Sequence, residues 1–199
     1  MDVQSVRGFE ALARERLSPA AYAYYAGGAW DELTLRENEA AFTRRTLIPR
    51  VLVDVGTVDA STTMLGTTVA LPLALAPAAL QGLAHADGEL VPARAASRAK
   101  LIYCLSTFSS RSLETVAAAG RGTRWFQLYV LRDRGRTAEL VTRAAAAGYK
   151  ALILTADLPR AGYRERELRA PLVQPGVLGN VGVMGGDVFL EGFGGVVDP

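Results

Sequence analysis

From Leu71 onward, short apolar runs alternate with alanine-rich amphipathic segments, and this alternation restricts the possible folds more than any other feature of the sequence. The apolar runs cover residues 71–77, 101–106, 124–130 and 150–156. Each segment between them is long enough for a helix, and two of the three end in glycine, which often terminates helices. Strands that are apolar on both faces and joined by crossover helices form a parallel sheet covered by helices. The sequence therefore predicts an α/β fold with four successive βα units.

The N-terminal third is predicted to be helical. Apolar residues recur at helical spacing within residues 9–17, 19–26 and 31–44, and Gly27 follows the second of these segments. Residues 47–55 are expected to form an irregular or extended connection. These patterns predict one domain with three parts: a helical segment over 1–60, four strands with their helices over 61–157, and a long glycine-rich loop over 158–199.

Composition and charge argue against several classes of protein. Half of the 199 residues are hydrophobic and about a fifth are charged, so we expect a buried core. The net charge is only +2 and the basic residues are dispersed, which argues against nucleic acid as a partner. The most apolar stretch, 69–84, is too short and too proline-broken to cross a membrane, and the N-terminus lacks an apolar export signal. Cys104 has apolar neighbours and no second cysteine to pair with, so we expect a buried, inert thiol and a cytoplasmic protein.

Polar residues collect where the predicted strands end. Alternation along a strand places Gln127 with Tyr129, and Thr155 with Asp157, on a shared face, and Ser106 closes the second apolar run. Ligands of parallel α/β folds bind at the carboxyl ends of the strands, so these residues predict a site. The alternative is that each one only caps a helix or satisfies strand-end backbone groups.

Several motifs together resemble one known family. The sequence is similar to the N-terminal half of the FMN-dependent 2-hydroxy-acid oxidases and dehydrogenases, the family of glycolate oxidase, lactate oxidase and mandelate dehydrogenase. This resemblance implies a helical segment followed by the first four βα units of a (β/α)8 TIM barrel. It also implies FMN as cofactor and oxidation of a small (S)-2-hydroxy acid to the 2-oxo acid. The motifs that carry it are YYAGGAWDELTLRENEAAFTR, LIPRVLVDV, STTMLG, LPLALAPAALQGLAHADGE, FQLYV and LTADLPRAGYRERELR.

The resemblance assigns cofactor-binding roles to residues at the strand ends. It implies that backbone after the first strand lies along the flavin and that three side chains bond to the ring or the ribityl chain. Neutral donors and acceptors suit a flavin ring because they match its N–H group, its carbonyl oxygens and its ring nitrogens without adding charge. The implied residues are Ala76, Pro77, Ala78, Ser106, Gln127 and Thr155.

The resemblance also assigns substrate-binding and catalytic roles. Tyr24 and Tyr129 are implied to reach the substrate carboxylate and hydroxyl, and Arg164 to clamp the carboxylate with its forked donors. Asp157 is implied to orient a catalytic histidine and to stabilise its imidazolium form. Tyr129 and Asp157 are therefore the catalytic candidates.

Each of these assignments has a purely structural explanation beside it. Tyr24 lies among other tyrosines and could serve packing between helices. Arg164 is one of four arginines within residues 160–169 and could be solvated. Asp157 precedes a Leu-Pro pair and could serve a turn or a cap.

Other positions depart from the family pattern. Ala78 stands where the family usually has threonine or serine, and Phe108 stands where tryptophan is common. The catalytic histidine and the lysine that supports the reduced flavin have no counterparts at matching positions. His85, the only histidine, lies in a loop where we expect a structural role.

Four parallel strands cannot close a barrel, so an open edge with unpaired backbone groups is expected. We therefore expect the chain to self-associate or to need a complementary C-terminal half-barrel. Three hypotheses remain open. The chain is the N-terminal part of an FMN-dependent oxidoreductase, or a non-catalytic half-barrel that binds flavin or carboxylate, or a degenerate fragment that binds nothing.

Overall fold

The computed structural model describes residues 3–131, 133–157, 162–172 and 177–183. Contacts between Cα atoms divide the chain into two compact units. The first unit comprises Met1–Val58 with Gly162–Gln174, and the second comprises Asp59–Ala161 with Pro175–Pro199.

The first unit is helical. A short 3₁₀ turn, Val6–Gly8, precedes α1 (Phe9–Arg16), α2 (Pro19–Ala26) and α3 (Leu33–Thr43), and α7 (Glu165–Arg169) lies later in the chain. These bounds confirm the three helices predicted from apolar spacing. Residues 45–61 contain no helix or strand.

The second helix shows how local sequence sets these bounds. The Ser18 side chain accepts a hydrogen bond from the Ala21 N–H at 3.2 Å, and Pro19 occupies the first helical position, where no N–H is needed. The helix ends at Gly27, whose N–H donates to the Ala23 carbonyl at 2.9 Å. The helix thus begins and ends where the sequence predicts.

The second unit begins with a β-hairpin that the apolar pattern does not predict. Strands β1 (Thr62–Met64) and β2 (Thr67–Val69) pair antiparallel. Their two-residue turn is Leu65-Gly66, and both residues have positive φ angles, of 44° and 75°. Tight hairpins need this backbone conformation, which glycine adopts without strain.

The central sheet is parallel and has the strand order β3-β4-β5-β6. The strands are β3 (Ala74–Leu75), β4 (Ile102–Leu105), β5 (Arg124–Leu128) and β6 (Ala151–Leu154), and the connecting helices are α4 (Leu90–Arg98), α5 (Leu113–Ala118) and α6 (Arg134–Ala146). The predicted α/β fold with four parallel strands is confirmed. The first strand is only two residues long because prolines at positions 72 and 77 cannot donate to a strand ladder.

Both faces of the sheet are packed, and side chains alternate between them. Tyr103 and Leu105 lie in the core that the helices cover, whereas Ile102 and Cys104 pack on the opposite face with Trp125. Burial raises the pKa of the Cys104 thiol to about 11, as expected for an inert cysteine.

The last strand is less covered than its neighbour. Leu152 and Leu154 pair in register with Phe126 and Leu128 of β5. The two leucines are 45% and 59% exposed, whereas their β5 partners are 0% and 6% exposed. Within the described residues β6 pairs only with β5, so the sheet is open at this strand.

One further finding concerns the helices of the described ranges. None is both long enough and apolar enough to span a lipid bilayer.

The tail after β6 is not entirely irregular. Besides α7, it contains the short antiparallel strands β7 (Val177–Leu178) and β8 (Gly182–Val183). The remaining residues of the predicted loop over 158–199 lie outside the described ranges, apart from 162–164, 170–172 and the turn 179–181.

Candidate functional site

Three of the predicted cofactor-binding side chains meet at the carboxyl ends of adjacent strands. The Ser106 hydroxyl donates to Gln127 Oε1 at 3.2 Å, and Gln127 Nε2 donates to Thr155 Oγ1 at 2.7 Å. Ser106 and Gln127 are buried, and Thr155 is half-buried. The structure therefore brings these three residues together in one hydrogen-bonded row, which we call the strand-end row.

The orientation of the Gln127 amide follows from its donors. Its oxygen also accepts the Thr107 backbone N–H at 3.2 Å, so two donors fix the oxygen on the β4 side. One hydrogen of the amide nitrogen binds Thr155 on the β6 side. The second has no acceptor among the described residues, and an amide nitrogen carries two donors. This hydrogen can therefore serve a ligand.

Thr107 holds the backbone of β5 and is absent from the residues predicted from the sequence. It is fully buried, and its hydroxyl donates to the Gln127 carbonyl at 2.6 Å and accepts from the Tyr129 N–H at 3.1 Å. A side chain thus replaces the strand ladder where β4 has already ended. The available signal was a second hydroxyl residue directly after Ser106, at the end of a buried strand.

Tyr129 lies just beyond β5 and is half-buried. Its ring stacks on Phe108 with 5.0 Å between the ring centroids. Burial raises the pKa of the Tyr129 phenol, and the negative charge of Asp157 raises it further. Asp157 is exposed and close enough to act on Tyr129, so the two catalytic candidates fall in one neighbourhood. The phenol remains protonated and can donate a hydrogen bond.

A buried carboxylate ties the loops after β3 and β4 together. Glu89 is fully buried and accepts three backbone N–H groups, from Gln81 at 3.1 Å, Ser110 at 2.7 Å and Arg111 at 3.1 Å. Three such donors can stabilise an ionised carboxylate without a cation. Sequence patterns do not reveal Glu89 because its partners are backbone groups of distant loops.

The predicted flavin-contacting backbone, Ala76 to Ala78, follows β3 directly. All three residues are exposed and lie outside helices and strands. Gln81 Nε2 donates to the Ala78 carbonyl at 3.1 Å and to the Tyr103 hydroxyl at 3.2 Å, and the Gln81 N–H binds Glu89. The segment is therefore held from its far end while its own small side chains leave the backbone accessible.

Tyr24 and Arg164 meet in the first unit. The Arg164 Nη2 donates to the Tyr24 carbonyl at 2.5 Å and to the Gly27 carbonyl at 2.8 Å, and the guanidinium lies 5.5 Å from the centre of the Tyr24 ring. Cations favour helix C-termini, and these carbonyls lie at the C-terminus of α2. Nη1 is 2.5 Å from Glu167 Oε1. Arg164 is therefore engaged and not merely solvated.

Tyr24 and His85 also make local contacts of the kind that a structural role requires. The Tyr24 ring packs edge-on against Tyr25 with the centroids 5.2 Å apart, so aromatic packing accounts for part of its environment. His85 Nδ1 accepts the Asp87 N–H at 3.0 Å in an exposed loop, which is the local structural role expected for it.

The comparisons with known proteins cover most of this chain. The family model described as FMN-dependent dehydrogenase matches residues 13–185. The chain belongs to this family. FMN is the cofactor of the family.

Two curated relatives of this chain are named as oxidases. The chain is 46% identical over 175 residues to glycolate oxidase of Spinacia oleracea, a match that covers 88% of this chain and 47% of that protein. It is 51% identical over 171 residues to L-lactate oxidase of a Nostoc species, covering 84% and 47%. The chain thus spans about half the length of the curated relatives it matches.

Solved structures of the family agree with the observed fold. A mandelate oxidase structure matches with a TM-score of 0.83 and 42% identity, covering 88% of this chain and 50% of that one. These neighbours are TIM-barrel 2-hydroxy-acid oxidases. The described part of this chain has four parallel strands of such a barrel, and closure of the barrel is not seen within it.

The chemistry of the strand-end row fits a flavin. Its members supply two hydroxyl groups and one carboxamide, which carry no formal charge. The row is largely buried and contains an amide hydrogen that no described residue accepts. Such a donor set can bond to ring carbonyls and nitrogens without fixing the charge of the ring.

Proposed function

We propose that this chain supplies the N-terminal flavin-binding and substrate-binding residues of an FMN-dependent 2-hydroxy-acid oxidoreductase. The observation that carries the proposal is the strand-end row, with its oriented Gln127 amide, in a chain that belongs to the FMN-dependent dehydrogenase family. The substrate class is a small (S)-2-hydroxy acid, and the product is the 2-oxo acid.

Cofactor binding falls to two parts of the second unit. Backbone groups of Ala76, Pro77 and Ala78 would lie along the ring, and Ser106, Gln127 and Thr155 would supply hydrogen bonds. A bound FMN would supply the acceptor for the hydride equivalent of the substrate. The protein's own contribution is to present the second Gln127 hydrogen from a buried and oriented amide.

Substrate-binding roles are proposed for Tyr129 in the second unit and, separately, for Tyr24 and Arg164 in the first unit. The neutral phenol of Tyr129 can donate to the substrate hydroxyl, and the raised pKa of this phenol keeps it in the donor form. Arg164 would take the carboxylate, for which it would exchange part of its present contacts with Glu167 and the α2 carbonyls. Asp157 would orient a histidine base and stabilise its imidazolium form.

That base is not at a matching position in these 199 residues, since their one histidine is His85. We therefore propose that turnover needs a complementary C-terminal half-barrel. The exposed Leu152 and Leu154 and the open edge of β6 support a partner at this strand. Self-association of the chain is the alternative. Sedimentation with and without an added C-terminal half separates self-association from binding of the complementary half. A stable monomer that does not bind the added half contradicts both.

Titration of FMN with the purified chain tests the proposal. We expect quenching of flavin fluorescence, and we expect Gln127→Ala to raise the Kd about tenfold or more because it removes the oriented donor. Gln4→Ala, in an exposed N-terminal position, is the matched control and should leave the Kd unchanged. Absence of quenching by the wild-type chain, even with the C-terminal half of a relative present, would overturn the proposal.

A second candidate is a half-barrel that binds flavin or carboxylate without catalysis, favoured by the local structural role of His85. Turnover of glycolate, lactate or mandelate with a dye acceptor, in the presence of a complementary half, separates the two. Bound FMN without turnover supports the second candidate.

Cell fractionation tests the proposed cytoplasmic location, which the lone buried thiol supports.

A further inference from the structure

Asn180 lies in the turn between β7 and β8 and inserts a buried amide beside the loop after β4. Its side chain is saturated with partners. Oδ1 accepts the Leu113 N–H at 2.7 Å, and the two hydrogens of Nδ2 are shared among three acceptors, Ser109 Oγ at 2.8 Å, the Thr107 carbonyl at 3.2 Å and the Ser106 carbonyl at 3.3 Å. A glycine-rich part of the tail is thus fixed to the loop that carries Ser106.

One of these contacts reaches the strand-end row through a single peptide group. The Ser106 carbonyl and the Thr107 N–H belong to the same planar unit and point in opposite directions. Asn180 binds the carbonyl end at 3.3 Å, and Gln127 Oε1 binds the N–H end at 3.2 Å. The Ser106 carbonyl also accepts the Ser109 N–H at 3.2 Å, so Asn180 and Ser109 hold one end of the peptide group and the Gln127 amide holds the other.

The direction of the Gln127 amide depends in part on that N–H. If the peptide plane turned, Oε1 would keep only the Ser106 hydroxyl as donor, and the amide would be held less firmly with its nitrogen toward Thr155. We propose that Asn180 is a positioning residue for Gln127, acting through the Ser106–Thr107 peptide, and so sets the affinity for FMN. This inference rests on the proposed function for its consequence, but its geometry concerns the protein by itself.

The β7–β8 hairpin forms other hydrogen bonds with the rest of the second unit, and one of them provides a matched control. Arg136 Nη2 donates to the Val181 carbonyl at 2.6 Å, and the Gly179 N–H donates to the Ser109 carbonyl at 2.9 Å. Asn180→Ala removes the contact to the peptide and leaves these two bonds. Arg136→Ala removes a hairpin attachment and leaves the peptide contact.

The first measurement needs no cofactor. The side-chain NH₂ signals of Gln127 are assigned in the FMN-free chain by their loss in Gln127→Met. We expect Asn180→Ala to move these signals and to speed their hydrogen exchange about tenfold, because the fixed orientation is lost. Arg136→Ala should leave them in place. Far-UV circular dichroism establishes folding, and Asn180→Ser replaces Asn180→Ala if the latter does not fold.

The second measurement is the FMN titration. We expect Asn180→Ala to raise the Kd about tenfold, and to change it less than about twofold in a Gln127→Ala background, since the two residues act on one interaction. Unchanged Gln127 signals, or equal effects in both backgrounds, overturn the inference. If the wild-type chain fails to bind FMN, the proposed function falls, and the Gln127 signals still decide whether Asn180 orients this amide.

Discussion

The strand-end row and the Tyr24–Arg164 pair represent two different ways of holding a predicted site residue. In the strand-end row, neutral groups are fixed by buried backbone and side-chain hydrogen bonds. In the pair, a long cationic side chain is held by helix-end carbonyls and by Glu167, and it is 31% exposed. Backbone groups at the strand ends position the strand-end row, whereas the position of the Arg164 guanidinium depends on which of several acceptors it binds. A ligand can therefore use the row as it stands but must compete for Arg164.

The largest expected effect concerns the buried support of the second unit. Glu89→Ala leaves three backbone N–H groups without their acceptor, and we expect a loss of about 3 kcal/mol or more in the free energy of unfolding. Urea unfolding measures it. Glu139→Ala removes an exposed carboxylate and should cost under about 0.5 kcal/mol. Equal urea midpoints for Glu89→Ala and Glu139→Ala would show that the buried contacts of Glu89 stabilise the second unit no more than an exposed carboxylate does.

A smaller effect is expected from Thr107. Thr107→Val keeps the shape but removes the hydroxyl that serves the Gln127 carbonyl and the Tyr129 N–H, at a cost of about 2 kcal/mol. Thr107→Ser keeps the hydroxyl and should lose less than about 1 kcal/mol. The same unfolding measurement compares them. The prediction fails if the serine variant is the less stable one.

The smallest effect concerns charge. Burial raises the pKa of Glu167, and Arg164 only partly opposes this. A raised carboxylate pKa gives stability that is fully present below the unfolded value of about 4.5 and is lost as pH rises through the folded value. Glu167→Gln should therefore flatten the pH dependence of unfolding as pH rises above about 4.5, by less than about 1 kcal/mol because the group is partly exposed. An unchanged slope contradicts this, and Gln127→Ala, which removes no ionisable group, serves as the control.

The central sheet could be predicted because apolar runs and alanine-rich helices alternate clearly. The β1–β2 hairpin could not, since Leu65 adopts a positive φ that its residue type does not favour. The apolar run over 71–77 predicted a longer first strand than the two residues of β3, because its prolines limit strand pairing.

The site was predictable to the extent that strand geometry determines it. The sequence placed Gln127 and Thr155 at the carboxyl ends of two successive strands, and in the structure they are hydrogen-bonded. Glu89 and Asn180 were missed because they bind backbone groups of loops many residues away, and such partners leave no pattern in the sequence. The contacts of Arg164 with α2 were also out of reach, because the family resemblance assigned it to a ligand.

The lone thiol of Cys104 can serve as a labelling probe for local opening of the central sheet. It is 3% exposed, packs with Val69, Ile102 and Trp125, and burial raises its pKa to about 11, so a maleimide can reach it only when this packing opens. The rate of maleimide labelling of Cys104 therefore reports how often the central sheet opens locally. A partner that pairs with the open edge of β6 should lower this rate.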